Sequence, residues 1–206
     1  ACMGGYEVNQ YPDKFPVGTT TYYAKWTADP AKITFDANGG DTAAVPGAIT
    51  GVTDGVIIDR FPAEEPTRPG YTFEGWFADA AGTGDKVTSY PDQFPVGTTT
   101  YYAKWKAEPA KITFDANGGD KDTIPADLIG ATNQPINEQF PAEEPQREGY
   151  TFKEWNNQPD GKGTTVTEFP DSFSQGDTDL DAIWLPNTAE IRFDGNGGAN
   201  LIVPLT

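Results

Sequence analysis

The sequence of 206 residues carries 14 basic and 31 acidic side chains, and its formal net charge is −17 at pH 7. Nucleic acids and anionic lipids attract clusters of Lys and Arg, whereas the basic residues of this chain are scattered among carboxylates. No apolar run approaches the roughly 20 residues that a membrane-spanning helix needs. The composition therefore excludes nucleic acid as a partner and argues against membrane insertion.

Cysteine, glycine and proline limit the fold class. The single cysteine, Cys2, rules out a disulfide framework, and its source stays open between a tag remnant and a reactive or lipidated thiol. The 23 Gly and 18 Pro residues interrupt every candidate helix. The sequence therefore predicts a mostly β or α+β fold that lacks long helices.

A repeat with a period of 79 residues organises the chain. The string KITFDANGGD at residues 32–41 returns unchanged at 111–120, and 111 − 32 = 79. A fixed period of this kind indicates an array of small units. The predicted divisions are the C-terminal part of a preceding repeat at 1–31, full repeats at 32–110 and 111–189, and the opening strand and turn of a following repeat at 190–206.

Pro-containing segments at 27–31 and 106–110 separate one repeat from the next in this division. Such short polar segments favour an extended path, and each full repeat has its own aromatic residues. We therefore expect near-independent units in an elongated, monomeric array. Because periodicity fixes the period and not the phase, the same pentapeptides could be turns inside a unit, and the point where a structural unit begins stays open.

The first predicted strand, residues 21–26, is oriented by comparing its three copies. Alternate side chains of a strand lie on opposite faces of the sheet. The column that stays apolar holds Tyr22, Tyr101 and Leu180. The neighbouring column holds Tyr23, Tyr102 and Asp181. The apolar column is predicted to face the core, while Tyr23 and Tyr102 face solvent or a partner and are the candidate ligand contacts.

Each copy of this strand ends in a tryptophan on the same side as the apolar column. A large aromatic side chain buries roughly 150–250 Å² when it is fully enclosed, which helps a small unit to form a stable core. The predicted core anchors are Trp26, Trp105 and Trp184.

The next strand, residues 32–35, is predicted to place Ile33 and Phe35 in the core and to end in a tight turn, where Asn and Gly supply positive φ values. The turn also offers oxygens at alternate positions, as calcium-binding loops do. The candidate ligands in the two copies are Asp36, Asn38, Asp41, Asp115, Asn117 and Asp120. Since Ala199 takes the last position in the third copy, we predict a turn that holds no metal.

A third strand is predicted at residues 70–76, where Tyr71 and Phe73 share a face and Trp76 has the opposite parity. A bulge at Gly75 would return the Trp76 ring to the core. Glu154 replaces that glycine in the second copy, so the sequence does not decide whether the bulge forms. Two less regular segments complete the repeat: irregular strand or loop is predicted at 41–61, and one helical turn could fit at 90–97.

Acid–base chemistry would depend on carboxylates, because the sequence has no His. The candidates lie in acidic, Pro-bounded loops that are typical solvated surface, and they recur in both full repeats as Glu64, Glu65, Glu143 and Glu144. A crosslink from Lys32 or Lys111 to an asparagine is disfavoured, because Glu190 fills that column in the third copy. We therefore predict that the chain is not an enzyme, with no catalytic residue and no cofactor.

The order of three motifs resembles the Listeria-Bacteroides repeat, also known as the B repeat of internalin surface proteins. The motifs are FDANGG at 35–40, EPTRPGYTFEGW at 65–76 and TTTYYAKW at 98–105. This resemblance implies a compact β-grasp-like (ubiquitin-like) unit that is repeated in tandem on the outside of bacteria, between a distal domain and a cell-wall anchor. The implied location is the bacterial cell surface, with cell-wall attachment in the full-length protein.

Two functions of different class follow. In the first, the repeats form a modular stalk or spacer of an adhesin, and the acidic surface keeps neighbouring copies soluble. In the second, the repeats themselves bind host glycan or protein through the exposed Tyr23 and Tyr102, because aromatic faces suit both ligands. We favour the spacer, since an exposed tyrosine on a strand is also common where it has no binding role.

Overall fold

The computed structural model describes residues 7–10, 12–14 and 16–191, and within them it shows two tandem five-stranded sheets. The first domain contains β1 Pro30–Asp36, β2 Ile49–Val52, β3 Tyr71–Phe77, β4 Lys86–Val87 and β5 Thr98–Ala107. The second contains β6 Pro109–Asp115, β7 Leu128–Ala131, β8 Tyr150–Asn156, β9 Thr165–Val166 and β10 Asp177–Pro186. The helices in the described ranges are the 3-10 turns Thr42–Ala44 and Lys121–Thr123, so the predicted mostly β class is confirmed.

Both sheets have the same strand order and the same pairing. The order in the first is β2-β1-β5-β3-β4, and in the second it is β7-β6-β10-β8-β9. The strands β1 and β5 pair in parallel, with Phe35 opposite Tyr101, whereas the other neighbours are antiparallel. A parallel pair requires a long connection, and residues 37–97 with β2, β3 and β4 provide it.

The core of each domain lies on one face of its sheet. Alternation in β1 buries Ile33 and Phe35, as predicted, and β5 contributes Tyr101 to the same face. The irregular segments on either side of β3 cover this face with rings, among them Phe61, which packs edge-on against Phe35 at 5.9 Å between centroids. Aromatic loops therefore form the second layer in place of a helix.

A β-bulge turns Trp76 toward the core, as its parity required. The register between β3 and β5 shifts between Phe73 and Gly75, Gly75 has φ 139°, and Trp76 is only 3% exposed. The second domain has the equivalent irregularity opposite Ile183 and Trp184, although Glu154 stands where Gly75 does. Trp155 is likewise 3% exposed, so the bulge does not depend on glycine.

The predicted strand at 21–26 is wrong for the first copy. No strand forms in the described residues before Pro30, and Trp26 is 87% exposed, Tyr22 50% exposed and Tyr23 80% exposed. The later copies, β5 and β10, are central strands that need a neighbour on each side, and the described residues before Pro30 supply neither neighbour. Trp26 is therefore not a core anchor, while Trp105 and Trp184 are half-buried and pack against their cores.

The structure also tests the suggested helical turn and the predicted link between the repeats. The helical turn suggested at 90–97 does not form, since Phe94 is instead buried in the core and its backbone bonds to Gly55. The segment at 106–110 is not a separate link, because β5 ends at Ala107, β6 begins at Pro109, and Glu108 alone lies between them. Two further segments lie outside the described residues: Cys2, and residues 192–206 of the predicted opening strand and turn of the following repeat.

Candidate functional site

The turn that follows β1 is the site that the sequence singled out as a possible cation loop. Asn38 has φ 47° and Gly39 has φ 88°, so the predicted left-handed turn is confirmed. The Asp36 carboxylate accepts a hydrogen bond from the Asn38 backbone N–H at 2.7 Å. The second copy repeats this bond between Asp115 and Asn117, also at 2.7 Å.

The side-chain amide of Asn38 joins this turn to two distant segments. Its Nδ2 donates to the carbonyl oxygen of Ala80 at 2.9 Å and to that of Ala103, in β5, at 2.8 Å. In the second copy Asn117 donates to the Pro159 and Ala182 carbonyls. The asparagine therefore fixes the turn against the central strand of its own sheet.

The half-buried tryptophan of the central strand closes over the same turn. The Trp105 indole N–H donates to the Ala37 carbonyl oxygen at 2.9 Å, and Trp184 makes the same bond to Ala116. A Cβ on Gly40 would collide with the Trp105 ring. The glycine thus leaves room for the indole, and the motif FDANGG and the motif AKW form one structural unit.

An arginine that the sequence analysis did not select completes this unit. The Arg68 guanidinium lies 3.8 Å from the centroid of the Tyr71 ring and beside Gly39. In the second copy Arg147 stacks on Tyr150 and donates to the Asn117 carbonyl oxygen at 3.2 Å. The signal in the sequence was a basic residue that recurs at the 79-residue shift within a strongly acidic chain.

The last candidate ligand of each loop has a structural partner of its own. The Asp41 carboxylate accepts from the Ala43 backbone N–H at 2.9 Å, and Asp120 accepts from Asp122 at 3.0 Å. Each aspartate thereby caps a short 3-10 turn. In residues 7–10, 12–14 and 16–191, no cluster of three or more acidic, His or Cys side chains is arranged to hold a metal ion.

We expect EDTA to leave the melting temperature of the protein unchanged, because the side chains of this turn are engaged in hydrogen bonds within the chain. A ligand that binds only the folded state raises its stability by mass action, so thermal melting with and without added Ca²⁺ measures the effect directly. A rise of several degrees that EDTA reverses would assign Asp36, Asn38 and Asp41 as ligands.

The candidate ligand contacts Tyr23 and Tyr102 have different environments. Tyr23 is exposed and belongs to no strand, whereas Tyr102 is half-buried in β5 and pairs with Phe77 of β3. In the second domain the position of Tyr102 is taken by Asp181. Burial raises the pKa of Asp181, and the neighbouring carboxylates of Asp115 and Asp179 raise it further. The two domains therefore present unlike chemistry at this position.

The acidic loops predicted to be solvated surface are exposed in both domains, at Glu64, Glu65, Glu143 and Glu144. In the first domain, Glu64 and Glu65 lie at the edge of a shallow depression beside Trp76, together with Lys86. This depression is open to solvent, and Lys86 and Thr88 line it together with the two glutamates.

Comparison with known proteins supplies a family match. The family model described as the Listeria-Bacteroides repeat domain matches residues 32–104 and 111–183. None of the helices in the described ranges is long and apolar enough to cross a membrane.

The curated relatives are longer than this chain. The “Putative Gly-rich membrane protein” of Evansella cellulosilytica is 29% identical over 188 residues, which cover 88% of this chain and 20% of that protein. Internalin H of Listeria monocytogenes is 32% identical over 124 residues, which cover 59% of this chain and 19% of that protein. The chain thus spans about a fifth of the length of these relatives.

Among solved structures, the chain is similar to domains 3–4 of the Streptococcal High Identity Repeats in Tandem (SHIRT) from a cell surface protein. The identity is 16%, the TM-score is 0.25, and the match covers 75% of this chain and 96% of that one.

Proposed function

Because the chain belongs to the Listeria-Bacteroides repeat family, we propose that it is a non-catalytic repeat region of an extracellular bacterial surface protein and acts there as a modular stalk or spacer of an adhesin. In the full-length protein such a stalk lies between a distal domain and the cell wall. The name of one relative, Internalin H, supports this location.

One observation carries the proposal: the polar residues of the turn that recurs in both domains bond within the chain. Asn38 and Asn117 hold the central strands, and Asp41 and Asp120 cap short turns. The partly exposed position of Tyr102, by contrast, changes to Asp181 in the next domain. A repeat that is built to bind would keep its contact surface, whereas a spacer needs only to keep its fold.

The proposal includes the β-grasp-like unit that the family resemblance implies. A parallel central pair, β1 and β5, with antiparallel neighbours β2 and β3, supports this assignment. A ubiquitin-like unit packs a helix on one sheet face, and here loops that carry Phe61 and Phe94 cover that face. The unit would then be a variant in which aromatic loops replace the helix.

The alternative function is recognition of host glycan or protein through Tyr102 and Tyr23. Its support is the 80% exposure of Tyr23 and the partial exposure of Tyr102. Exposed aromatic rings stack on sugars and anchor protein contacts.

A binding screen separates the two functions. We expect the 206-residue chain to give no specific signal on a glycan array or on a panel of host extracellular proteins, because the spacer needs no ligand. A reproducible signal that the double variant Tyr23→Ser and Tyr102→Ser abolishes, while Tyr22→Ser preserves it, would replace the spacer by the binding function. Tyr22 is a suitable control because it is half exposed, at 50%, in the same strand-free segment as Tyr23.

Small-angle scattering provides the second arm of this test. A compact domain of this length has a radius of gyration of about 17 Å, and an elongated array must exceed it clearly. A value at the compact figure would contradict the stalk even if no ligand were found.

A further inference from the structure

The two domains meet at a joint where no free linker separates the sheets. The Glu108 backbone N–H donates to the Gly70 carbonyl oxygen at 2.9 Å, which extends the pairing of β5 with β3. The Glu108 carbonyl oxygen accepts from the Thr132 N–H at 2.9 Å, which extends the pairing of β6 with β7. Glu108 therefore belongs to the hydrogen-bonded strand ladders of both sheets.

Side chains reinforce this joint from both domains. The Asn133 amide donates to the Tyr71 hydroxyl at 2.9 Å. Thr72 donates through its hydroxyl to the Glu108 carboxylate at 3.3 Å. We call Gly70, Tyr71 and Thr72 the receiving end of the first domain, and Thr132 with Asn133 the docking turn of the second.

Steric fit at the joint depends on a glycine. A Cβ on Gly70 would lie 2.6 Å from Cγ2 and 2.9 Å from Oγ1 of Thr132, closer than real Cβ contacts allow. Thr132 is itself only 6% exposed. The receiving end and the docking turn are thus in close contact, and Gly70 makes that approach possible.

The same receiving end recurs on the second domain, where no docking turn from the described residues packs on it. The Asn187 N–H donates to the Gly149 carbonyl oxygen at 2.9 Å, and the Thr151 hydroxyl donates to the Asn187 amide oxygen at 2.7 Å. These bonds repeat those of Glu108 at the shift of 79 residues. In the described part of the chain, a Cβ on Gly149 would meet no atom within 4 Å, and Tyr150 is exposed.

The same docking turn recurs on the first domain. The Thr53 N–H donates to the Asp29 carbonyl oxygen at 2.8 Å, as Thr132 does to Glu108. The Thr53 hydroxyl oxygen is enclosed and has no hydrogen-bond partner among the described residues. Asp54 holds the left-handed conformation of Asn133, with φ 61° at both positions.

We propose that each sheet domain carries two complementary end surfaces, and that the receiving end at Gly149, Tyr150 and Thr151 is a docking site for the Thr-Asn or Thr-Asp turn of another domain of this kind. The occupied joint supports this assignment: the same residues, 79 positions later, keep the equivalent internal bonds, and among the described residues no neighbouring turn packs on them. Successive repeats are then docked at a fixed angle, whether the array serves as a spacer or as a binder.

A matched pair of glycine variants tests the occupied joint in the 206-residue chain. Gly70 has φ 74° and Gly149 has φ 77°, so alanine introduces equal backbone strain at both. Only Gly70→Ala brings a Cβ into Thr132. We expect the two domains of the parent and of Gly149→Ala to share one alignment tensor in residual dipolar couplings, and the tensors of Gly70→Ala to separate.

Tyrosine variants keep the test independent of backbone strain. Tyr71→Phe removes the hydroxyl that accepts from Asn133, whereas Tyr150→Phe removes the equivalent hydroxyl of the second domain. We expect that a single alignment tensor fits the couplings of both domains poorly, or not at all, in Tyr71→Phe alone. Equal behaviour of both members in both pairs would show that the contacts do not fix the joint, and would overturn the proposal.

The receiving end of the second domain is tested by lengthening the chain with a second copy of residues 111–189 inserted after Ala189, in register with the period. Gly149→Ala is expected to leave the shared alignment tensor of the 206-residue chain unchanged. In the lengthened chain we expect it to separate the tensors of the second and third domains. If Gly149→Ala leaves the tensors of the lengthened chain unchanged, the receiving end of the second domain is not a docking site. The dipolar couplings do not depend on the result of the binding screen. The docking proposal and the stalk proposal are therefore tested independently.

Discussion

Replacement of Trp155 by alanine is expected to lower the free energy of unfolding of the second domain by roughly 3–5 kcal/mol, the usual range for a buried large aromatic. Trp155 is 3% exposed and packs edge-on against Phe114 at 4.9 Å between ring centroids. It also contacts Phe152, at 5.4 Å. Removal of the indole would leave a cavity at the centre of a small core, where few other contacts compensate.

Urea unfolding followed by circular dichroism measures this loss, with each domain fitted as its own transition. The matched control is Trp26→Ala, because Trp26 is 87% exposed and a surface substitution of this kind changes stability by about 0.5 kcal/mol or less. A cost for Trp26→Ala that equals the cost for Trp155→Ala would show that the first copy of the strand is folded after all.

Replacement of Asn117 by glycine is expected to lower the free energy of unfolding of the second domain by about 1–3 kcal/mol, since the Pro159 and Ala182 carbonyl oxygens lose their donor. Glycine accepts the φ of 46° at this position, so this variant isolates the contribution of the amide. Asn117→Ala adds the cost of the left-handed backbone, about 1–2 kcal/mol more.

The same urea experiment, applied to both variants, separates the two contributions at this turn. Asn38→Gly in the first domain serves as a replicate, because Asn38 makes the equivalent bonds to Ala80 and Ala103. If Asn117→Gly unfolded at the same urea concentration as the parent, the amide would not hold the turn, and its carbonyl partners would have to be satisfied by water.

Several elements were predictable because their signals are local. Strict alternation placed Ile33 and Phe35 in the core. The parity of Trp76 indicated that its ring could be buried only if a bulge preceded it in the strand. The Asn-Gly pair predicted the left-handed turn at Asn38. In each case the relevant physical preference, side-chain alternation or backbone φ, acts within a few residues of the chain.

Other elements could not be predicted, because their partners are remote in the sequence. The string TYYAKW at residues 100–105 lies within β5, whereas the same string at 21–26 forms no strand. Because the two sequences are identical, the difference comes from the neighbouring strands. Likewise, the bond from Asn38 to Ala103 spans 65 residues. A polar side chain in a turn does not indicate by itself which carbonyl it will meet.

By itself, the amino-acid sequence determined the period of 79 residues, the mostly β class, the core faces of β1 and β5 and the glycine-dependent turn. Only the tertiary structure decided that β1 pairs in parallel with β5, that the candidate cation turn is held by Asn38 and Trp105, and that Glu108 joins two sheets without a linker. The physical reason is the range of each effect. Alternation and φ preferences act along the chain, whereas strand pairing and end-to-end docking depend on contacts that exist only once the chain has folded.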